Sequence, residues 1–265
     1  IYKLGESLLQ HAEHCLLLTA TPHKGDVENF RHLMKLIDPD IFSSIGIKET
    51  LRDKANPFII RRLKENLKNF DGSPLFPKRT TQTIQYDLSQ QELLLYEQVT
   101  AYVKNHFNRA MLRQKHGTAF AMMLLQRRLS SSIEAIHCSL QRRVDRLTLM
   151  LQTEMEHQEI NHDEYDEIAD DEQEQFEEAS EGSVDTIDRN ELRAEIAELE
   201  RLIDLSAHIR SHHTERKFQE LEKTLFGEKG LLARNEKILI FTESTDTLLF
   251  LERKFTEYGL KTAKI

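Results

Sequence analysis

The feature that most constrains this chain is a series of apolar stripes at helical spacing. The longest stripe consists of Leu129, Ile133, Ile136, Leu140, Val144, Leu147 and Leu151. A shorter stripe precedes it (Tyr96, Val99, Val103, Phe107 and Ala110), and another follows it (Leu192, Ile196, Leu199 and Ile203). Steps of three and four residues place such side chains on one face of a helix. The stripes therefore predict long helices that fold back on one another as an antiparallel hairpin or bundle.

Helix boundary signals agree with this prediction. Ser89 and Glu92 have the spacing of a capping box at the start of the first long helix. Asp188 can begin the third long helix, and a later helix over Thr247–Tyr258 is followed by Gly259 as its C-terminal cap. Only 9 glycines and 5 prolines occur in 265 residues, which favours long helices over a turn-rich β protein.

Three short segments have the pattern of β-strands. Cys15–Leu18 is a continuous apolar run, Thr81–Tyr86 alternates, and Lys237–Phe241 reads KILIF. The helix after Lys237–Phe241 is followed by a further strand-like segment, LKTAKI. The sequence therefore predicts a mixed α/β chain that is mostly helical, with a helix-strand-helix segment before the long helices and a β-α-β segment after them.

Charge is distributed unevenly along the chain. Between Glu154 and Glu181 there are 14 acidic residues and no Lys or Arg, so the remainder of a chain of net charge −9 carries +5. Between Lys104 and Arg146 there are nine basic residues and only two acidic ones, Glu134 and Asp145. The acidic block has too few apolar residues for a core, and we expect it to be mobile. The basic block is either a solvated helix face or a phosphate-facing surface.

Some chemistries have no support in the sequence. Cys15 and Cys138 are far apart and lack metal-site spacing, so we expect buried free thiols. No G-x-x-x-x-G-K-[ST] stretch, which would hold the phosphates of a nucleotide, occurs. No apolar run is long enough to span a bilayer, and no leader precedes the first helix. We therefore expect a cytoplasmic protein with no metal site.

Four segments occur in a recognisable order: LLLTATPHKG, FIIRRLKENL, LFPKR and ILIFTES. This ordered set resembles the superfamily-two helicases, specifically the Swi/Snf-like bacterial translocases. The segments YDLSQQELLLYEQVTAYV, FNRA and LLQRRLSSSIEAIHCSLQRR are most similar to the helicase-like proteins of DISARM-type anti-phage systems. The resemblance covers nearly the whole chain except the acidic block.

The resemblance implies roles for particular residues. The motif III segment, Thr19, Ala20, Thr21 and Pro22, would link a nucleotide site with the nucleic-acid track. Phe241 and Thr242 match motif IV, near the nucleic-acid backbone. The basic side chains expected at nucleic acid are Arg61, Arg62, Lys64, Arg127, Arg128, Arg142 and Arg143. No catalytic residue is expected within the chain, because the motifs that bind and cleave ATP are missing from it.

The resemblance also implies a domain organisation. Residues 1–70 would be the C-terminal part of one RecA-like lobe and 71–80 a linker. Residues 81–235 would start the second lobe with a helical insertion, including a disordered acidic segment over 154–187. Residues 236–265 would be the strand-helix-strand start of the second-lobe core. The chain would then be the central fragment of a longer protein.

Two functions of different classes remain open at this point. In the first, the chain belongs to an ATP-dependent helicase or translocase that uses ATP and Mg²⁺, binds nucleic acid, with DNA expected, and joins other subunits of a defence complex. In the second, it is a non-catalytic helical adaptor whose apolar stripes bind partner helices. For the arginine pairs within the basic block, phosphate contact and pairing with carboxylates on a neighbouring helix are both open.

Overall fold

The computed structural model describes residues 2–9, 11–19, 27–42, 56–153, 176–177, 180–181, 183, 188–227, 230–234 and 237–264. The chain divides into two compact units, Ile1–Gln82 and Thr83–Ile265. None of the helices in the described ranges is long and apolar enough to cross a membrane. The helices account for most of the regular structure, and no strand is formed within these ranges.

Four long helices form the core of the second unit. They are α4 (Gln90–Leu112), α5 (His116–Ser131), α6 (Ile133–Thr153) and α7 (Arg189–His212). Each helix packs against the next, and α7 also packs against α4, so the four close into a bundle. The predicted stripes meet inside it: Leu140 and Leu147 of α6 and Leu199 of α7 are completely buried. The predicted bundle is therefore confirmed.

Local signals begin these helices as expected. The Ser89 hydroxyl accepts a hydrogen bond from the Glu92 backbone N–H, and the Glu92 carboxylate accepts one from the Ser89 N–H. Asp188 caps α7 by accepting from the backbone N–H groups of Asn190 and Glu191. These contacts satisfy donors that a helix N-terminus leaves without intrahelical partners.

A second, smaller core lies at the end of the chain. It is formed by α8 (Arg216–Phe226), a 3₁₀ turn (Leu231–Arg234) and α9 (Thr245–Glu257) around Phe218, Leu225 and Phe255. Helix α9 also packs against α6. Gly259 follows α9 with φ of 71°, a left-handed conformation that glycine adopts without a Cβ penalty.

The first unit has shorter elements. Helices α1 (Tyr2–Leu9), α2 (Val27–Ile37) and α3 (Pro39–Phe42) precede 3₁₀ turns at Asn56–Phe58 and Lys64–Asn66. Met34 and Phe42 form its small core, and further apolar side chains of α2, including Phe30 and Ile37, pack there. The Phe58 ring meets Phe42 edge to face at 5.6 Å.

The strand predictions are wrong for the residues that the structure describes. Cys15–Leu18, residues 81–86 and residues 237–241 have no ladder partner, and their apolar side chains are largely exposed, as Leu18 is at 85%. A strand forms only when its backbone groups pair with a neighbouring chain segment, which an apolar run cannot supply by itself. The expected RecA-like sheets are therefore not observed in these ranges.

The long stripe from Leu129 to Leu151 is divided between two helices rather than lying on one. Ser132 lies between α5 and α6 with extended angles (φ −162°, ψ 162°). Its hydroxyl accepts from the Ala135 N–H and shares a hydrogen bond with the Thr247 hydroxyl at 2.7 Å. The Ser132 side chain thus satisfies a backbone N–H that the break between the helices leaves without an intrahelical acceptor. The chain can therefore change direction while its apolar face stays in the core.

Part of the acidic block is packed rather than mobile. Most of it, including 154–175, lies outside the described residues. Glu177, Ser180, Glu181 and Ser183, however, are buried. Disorder over 154–187 is therefore not observed at these positions, because the two carboxylates find buried arginine partners that charge composition alone does not reveal.

Candidate nucleic-acid interface

The basic block contains two pairs of adjacent arginines, Arg127 with Arg128 and Arg142 with Arg143. Adjacent helical residues point about 100° apart, so one member of a pair can enter the core while the other stays outside it. Arg128 and Arg143 are buried, and Arg127 and Arg142 are partly exposed. Because Arg143 has no exposed surface, it contacts no ligand in this conformation.

Arg143 is held inside the bundle by a polar network. Its guanidinium donates to Glu195 Oε1 at 2.7 and 3.0 Å and to the Tyr102 hydroxyl oxygen at 2.8 Å. The Tyr102 hydroxyl in turn donates to Glu195 Oε1 at 2.7 Å. The remaining donors of Arg143 reach the carbonyl oxygens of Glu181 and Ser183 at 2.6 and 3.0 Å. A buried charge with this many partners joins α4, α6 and α7 to the acidic segment, the name used here for the described residues Glu177, Ser180, Glu181 and Ser183.

The charges of this network shift its pKa values in consistent directions. Burial raises the pKa of Glu195, but the nearby Arg143 charge and the hydrogen bonds outweigh burial and lower it overall. Burial raises the pKa of Tyr102 well above its ordinary value, so its hydroxyl keeps its proton. Burial likewise lowers the pKa of the adjacent His106, which favours a neutral imidazole.

The other three arginines contact carboxylates of the acidic segment. Arg128 Nη2 donates to Glu177 Oε2 at 2.8 Å, and Arg127 Nη1 donates to Glu177 Oε1 at 3.3 Å. Arg142 Nε donates to Glu181 Oε2 at 2.8 Å. Glu181 Oε1 also accepts from the Ser139 hydroxyl at 2.6 Å. The side of α5 and α6 that was expected to face phosphates is therefore in contact with the chain's own carboxylates.

A groove of about 620 Å³ brings three of the expected nucleic-acid residues together. Arg127, Phe241 and Thr242 all line it, and the Phe241 side chain is 86% exposed. Its walls also include Tyr86 of the extended segment before α4. Glu243, beside Thr242, accepts from Arg127 Nη2 at 3.3 Å. Exposed aromatic rings beside a cation can stack on bases and contact a phosphate backbone.

Two charged residues near the start of α8 complete the groove at the α5–α6 junction. Lys217 Nζ donates to the carbonyl oxygens of Ser130 and Ser131, both at 2.9 Å, at the end of α5. Glu215 accepts from the Ile133 N–H at 3.3 Å at the start of α6. Each charge suits the helix end that it contacts. Burial nevertheless raises the pKa of Glu215 to about 7, with Glu92 and Glu134 adding to the increase.

The basic residues expected in the first unit have a different environment. Arg61 and Arg62 are exposed in a segment without regular secondary structure, and no described carboxylate lies within ion-pair distance of either. Lys64 lies over the Phe76 ring with its Nζ 5.5 Å from the centroid. Of the expected motif III segment, Thr19 is exposed, while Ala20, Thr21 and Pro22 lie outside the described residues.

The chain is similar to a known helicase. Over 147 residues, or 50% of the chain, it is 28% identical to "Uncharacterized ATP-dependent helicase YqhH" of Bacillus subtilis (strain 168). The matched region spans 24% of that protein's length. No protein-family model and no solved structure matches the chain.

No metal site accompanies this resemblance in the described ranges. They contain no group of three or more His, Cys, Asp or Glu side chains that could hold an ion. Cys15 and Cys138 are free thiols that are half-buried rather than buried.

Sequence reasoning missed Glu195, Tyr102, Glu177 and Glu181 as partners of the arginines. A usable signal existed for Glu195, which lies three residues after Leu192 and four before Leu199, at a core position of its helix. Arg143 has the same spacing between Leu140 and Leu147. Opposite charges at core positions of two apolar stripes predict a buried pair.

Proposed function

We propose that this chain is the central segment of an ATP-dependent nucleic-acid helicase or translocase, with DNA as its expected substrate. The observation that carries the proposal is the 28% identity to an ATP-dependent helicase over half of the chain. The ordered segments LLLTATPHKG, FIIRRLKENL, LFPKR and ILIFTES give independent support from the residues themselves. ATP binding and hydrolysis then belong to parts of the protein that this chain does not contain.

The placement of the basic residues is compatible with a nucleic-acid track. Arg61 and Arg62 are exposed and lack described carboxylate partners, so phosphate contact would cost no ion pair within the described ranges. In the other unit, Phe241 and Thr242 line a groove with Arg127. Contacts of this kind bind the phosphate backbone and do not read sequence.

The adaptor alternative has less support from the fold. It assigned the binding of partner helices to the long apolar stripes. Leu140, Leu147 and Leu199 are completely buried within the bundle, so those faces already pack against one another. A partner helix could reach them only after the bundle opened, at the cost of its buried apolar surface.

Salt-dependent binding tests the proposal. The 265-residue chain is titrated into labelled single-stranded and duplex DNA over a series of salt concentrations. Each phosphate contact releases about one counterion, so Arg61→Gln/Arg62→Gln should make the slope of log K against log salt shallower by about 2. Lys3→Gln/Lys35→Gln in the same unit is the matched control for charge. Absence of binding, or equal slopes for the two double variants, would contradict the role of Arg61 and Arg62.

Assays of ATP hydrolysis test the division of labour. We expect no hydrolysis by this chain, alone or with DNA, because it has no phosphate-cradling lysine to stabilise the transferring phosphoryl group. Turnover that is stimulated by DNA and co-purifies with the chain through successive columns would overturn this expectation. The control is the same preparation assayed without Mg²⁺, which separates contaminating activities that need no metal.

A further inference from the structure

The contacts of Arg127, Arg128 and Arg142 define a charged face on α5 and α6, here called the arginine face. Among the described residues, four carboxylates approach these three guanidinium groups: Glu177, Glu181, Glu243 and Asp246. Among these described groups, the four carboxylates outnumber the three guanidinium groups by one. Carboxylates at these positions repel the phosphates that the three arginines would otherwise attract.

Two of these carboxylates differ from the other two in origin. Glu243 and Asp246 come from the start of α9, which packs against α6. Glu177 and Glu181 come from the acidic block, whose 14 carboxylates lie between α6 and α7. Removal of the charges of Glu177 and Glu181 would leave two of these carboxylates beside the three guanidinium groups. The acidic segment thus reduces the attraction of the arginine face for a phosphate.

The fit between the acidic segment and the face is incomplete at one atom. Arg128 Nε is buried and has no hydrogen-bond acceptor within the described ranges, and its nearest carboxylate oxygen, Glu181 Oε1, is 3.6 Å away. An unsatisfied buried donor on a charged group costs free energy that a better-placed acceptor would recover. Phosphate oxygens and carboxylate oxygens bind the guanidinium fork in the same planar manner.

We propose that Glu177 and Glu181 occupy a phosphate-binding site on the arginine face, so that the acidic segment competes with nucleic acid for Arg127, Arg128 and Arg142. This inference rests on the proposed nucleic-acid function and adds a built-in inhibitor to it. Displacement of the segment would remove the hydrogen bonds from Arg143 to the carbonyl oxygens of Glu181 and Ser183 but would keep its contacts with Glu195 and Tyr102, which join α4, α6 and α7. The adjoining groove already presents Arg127 beside Phe241 and Thr242, which extends the freed face toward exposed aromatic surface.

The test is Glu177→Gln/Glu181→Gln in the 265-residue chain, with binding to labelled single-stranded and duplex DNA measured at several salt concentrations. Glutamine keeps the shape and an acceptor oxygen but removes the charge. We expect binding to tighten by roughly tenfold at low salt and the salt slope to steepen by up to about 3, nearly one unit for each of the three arginines that gains a phosphate. Glu97→Gln/Glu200→Gln, at exposed positions of α4 and α7, changes the net charge equally and is the control.

The outcomes separate the inference from the proposed function. Binding by the wild-type chain with no gain over the control would overturn the inference alone and leave the proposed function standing. No binding by the wild-type chain or by either variant would overturn both. Binding that appears only in Glu177→Gln/Glu181→Gln would support the inference and mean that the wild-type chain is held inhibited.

A measurement on the unmodified chain covers the case in which the variant fails to fold. The Glu181 N–H donates to the Glu177 carbonyl at 3.0 Å, and the Ser183 N–H donates to the Ser180 carbonyl at 2.9 Å. Saturating DNA should accelerate amide exchange of Glu181 and Ser183 severalfold, while the amides of α7 keep their protection. Unchanged exchange in this segment with DNA bound would overturn the inference.

Discussion

Two pairs of adjacent arginines in this molecule have opposite environments. Arg61 and Arg62 lie in an exposed segment of the first unit without regular secondary structure, with no described carboxylate at ion-pair distance. Arg142 and Arg143 lie on α6, where the first contacts Glu181 and Asp246 and the second is enclosed with Glu195. The same dipeptide therefore forms a solvated cationic surface in one unit and a structural junction in the other. Adjacent basic residues predict phosphate contact only where their helical or extended context leaves both of them outside the core.

The largest expected difference between the pairs is in stability. Arg143→Ala should lower the free energy of unfolding of the helical unit by about 3–5 kcal/mol, because the buried Glu195 would lose its shortest ion pair and keep only the Tyr102 hydroxyl and longer contacts with Arg109 and His106. Arg62→Ala is the matched control and should stay within about 0.5 kcal/mol of the wild type, as surface substitutions usually do. Denaturant unfolding followed by circular dichroism measures both. A loss under about 1 kcal/mol for Arg143→Ala would mean that the buried pair does not hold the helices together.

A smaller effect should appear in the pH dependence of the helical unit. The folded-state pKa of Glu215 is raised to about 7, above an unfolded value near 4.5, so folding takes up protons at this site. Its carboxyl therefore favours the folded state fully below pH of about 4.5, and that advantage is lost as pH rises through about 7. The difference between these limits corresponds to about 3 kcal/mol, at about 1.4 kcal/mol for each pH unit between 4.5 and 7.

Glu215→Gln should remove this slope, since the amide oxygen can still accept from the Ile133 N–H but does not ionise. Unfolding by denaturant at a series of pH values, as the difference between wild type and variant, isolates the contribution of one carboxyl. Glu220→Gln on the same helix, whose carboxylate contacts Lys223, is the control and should keep the wild-type profile. Parallel profiles for the wild type and Glu215→Gln would show that the carboxyl is better solvated than its position suggests.

The smallest expected effect tests the exposed pair. Arg61→Gln/Arg62→Gln should leave the unfolding free energy unchanged within about 0.5 kcal/mol, although the same variant weakens DNA binding. Thermal unfolding of this variant beside Lys3→Gln/Lys35→Gln provides the comparison. A stability loss of several kcal/mol would place Arg61 and Arg62 in the same structural class as Arg143 and would remove the contrast between the two pairs.

The elements that the sequence predicts well are those set by local contacts. The capping box of Ser89 and Glu92 and the Asp188 cap depend on residues two or three apart, and both are present. The apolar stripes likewise locate the bundle core, since helical periodicity places a face without knowledge of its partner. A mostly helical chain was predictable for the same reason.

The remaining features depend on partners that are distant in sequence. The Arg143–Glu195 contact joins residues 52 positions apart, and Arg142 reaches Glu181 across 39 positions. Strand formation depends in the same way on a second segment, so apolar patterning alone overpredicted strands at 15–18 and 237–241. The junction at Ser132 was missed because the apolar stripe continues on both sides of it.

That junction has a mechanical consequence. Two residues at the start of α8, separated by one position, bind different helices. Lys217 donates to carbonyl oxygens at the end of α5, and Glu215 accepts from the N–H at the start of α6. A rotation of α8 about its axis would strain both attachments at once, so α8 cannot turn independently of the two bundle helices. Helix α8 should therefore move together with the α5–α6 junction as one rigid element.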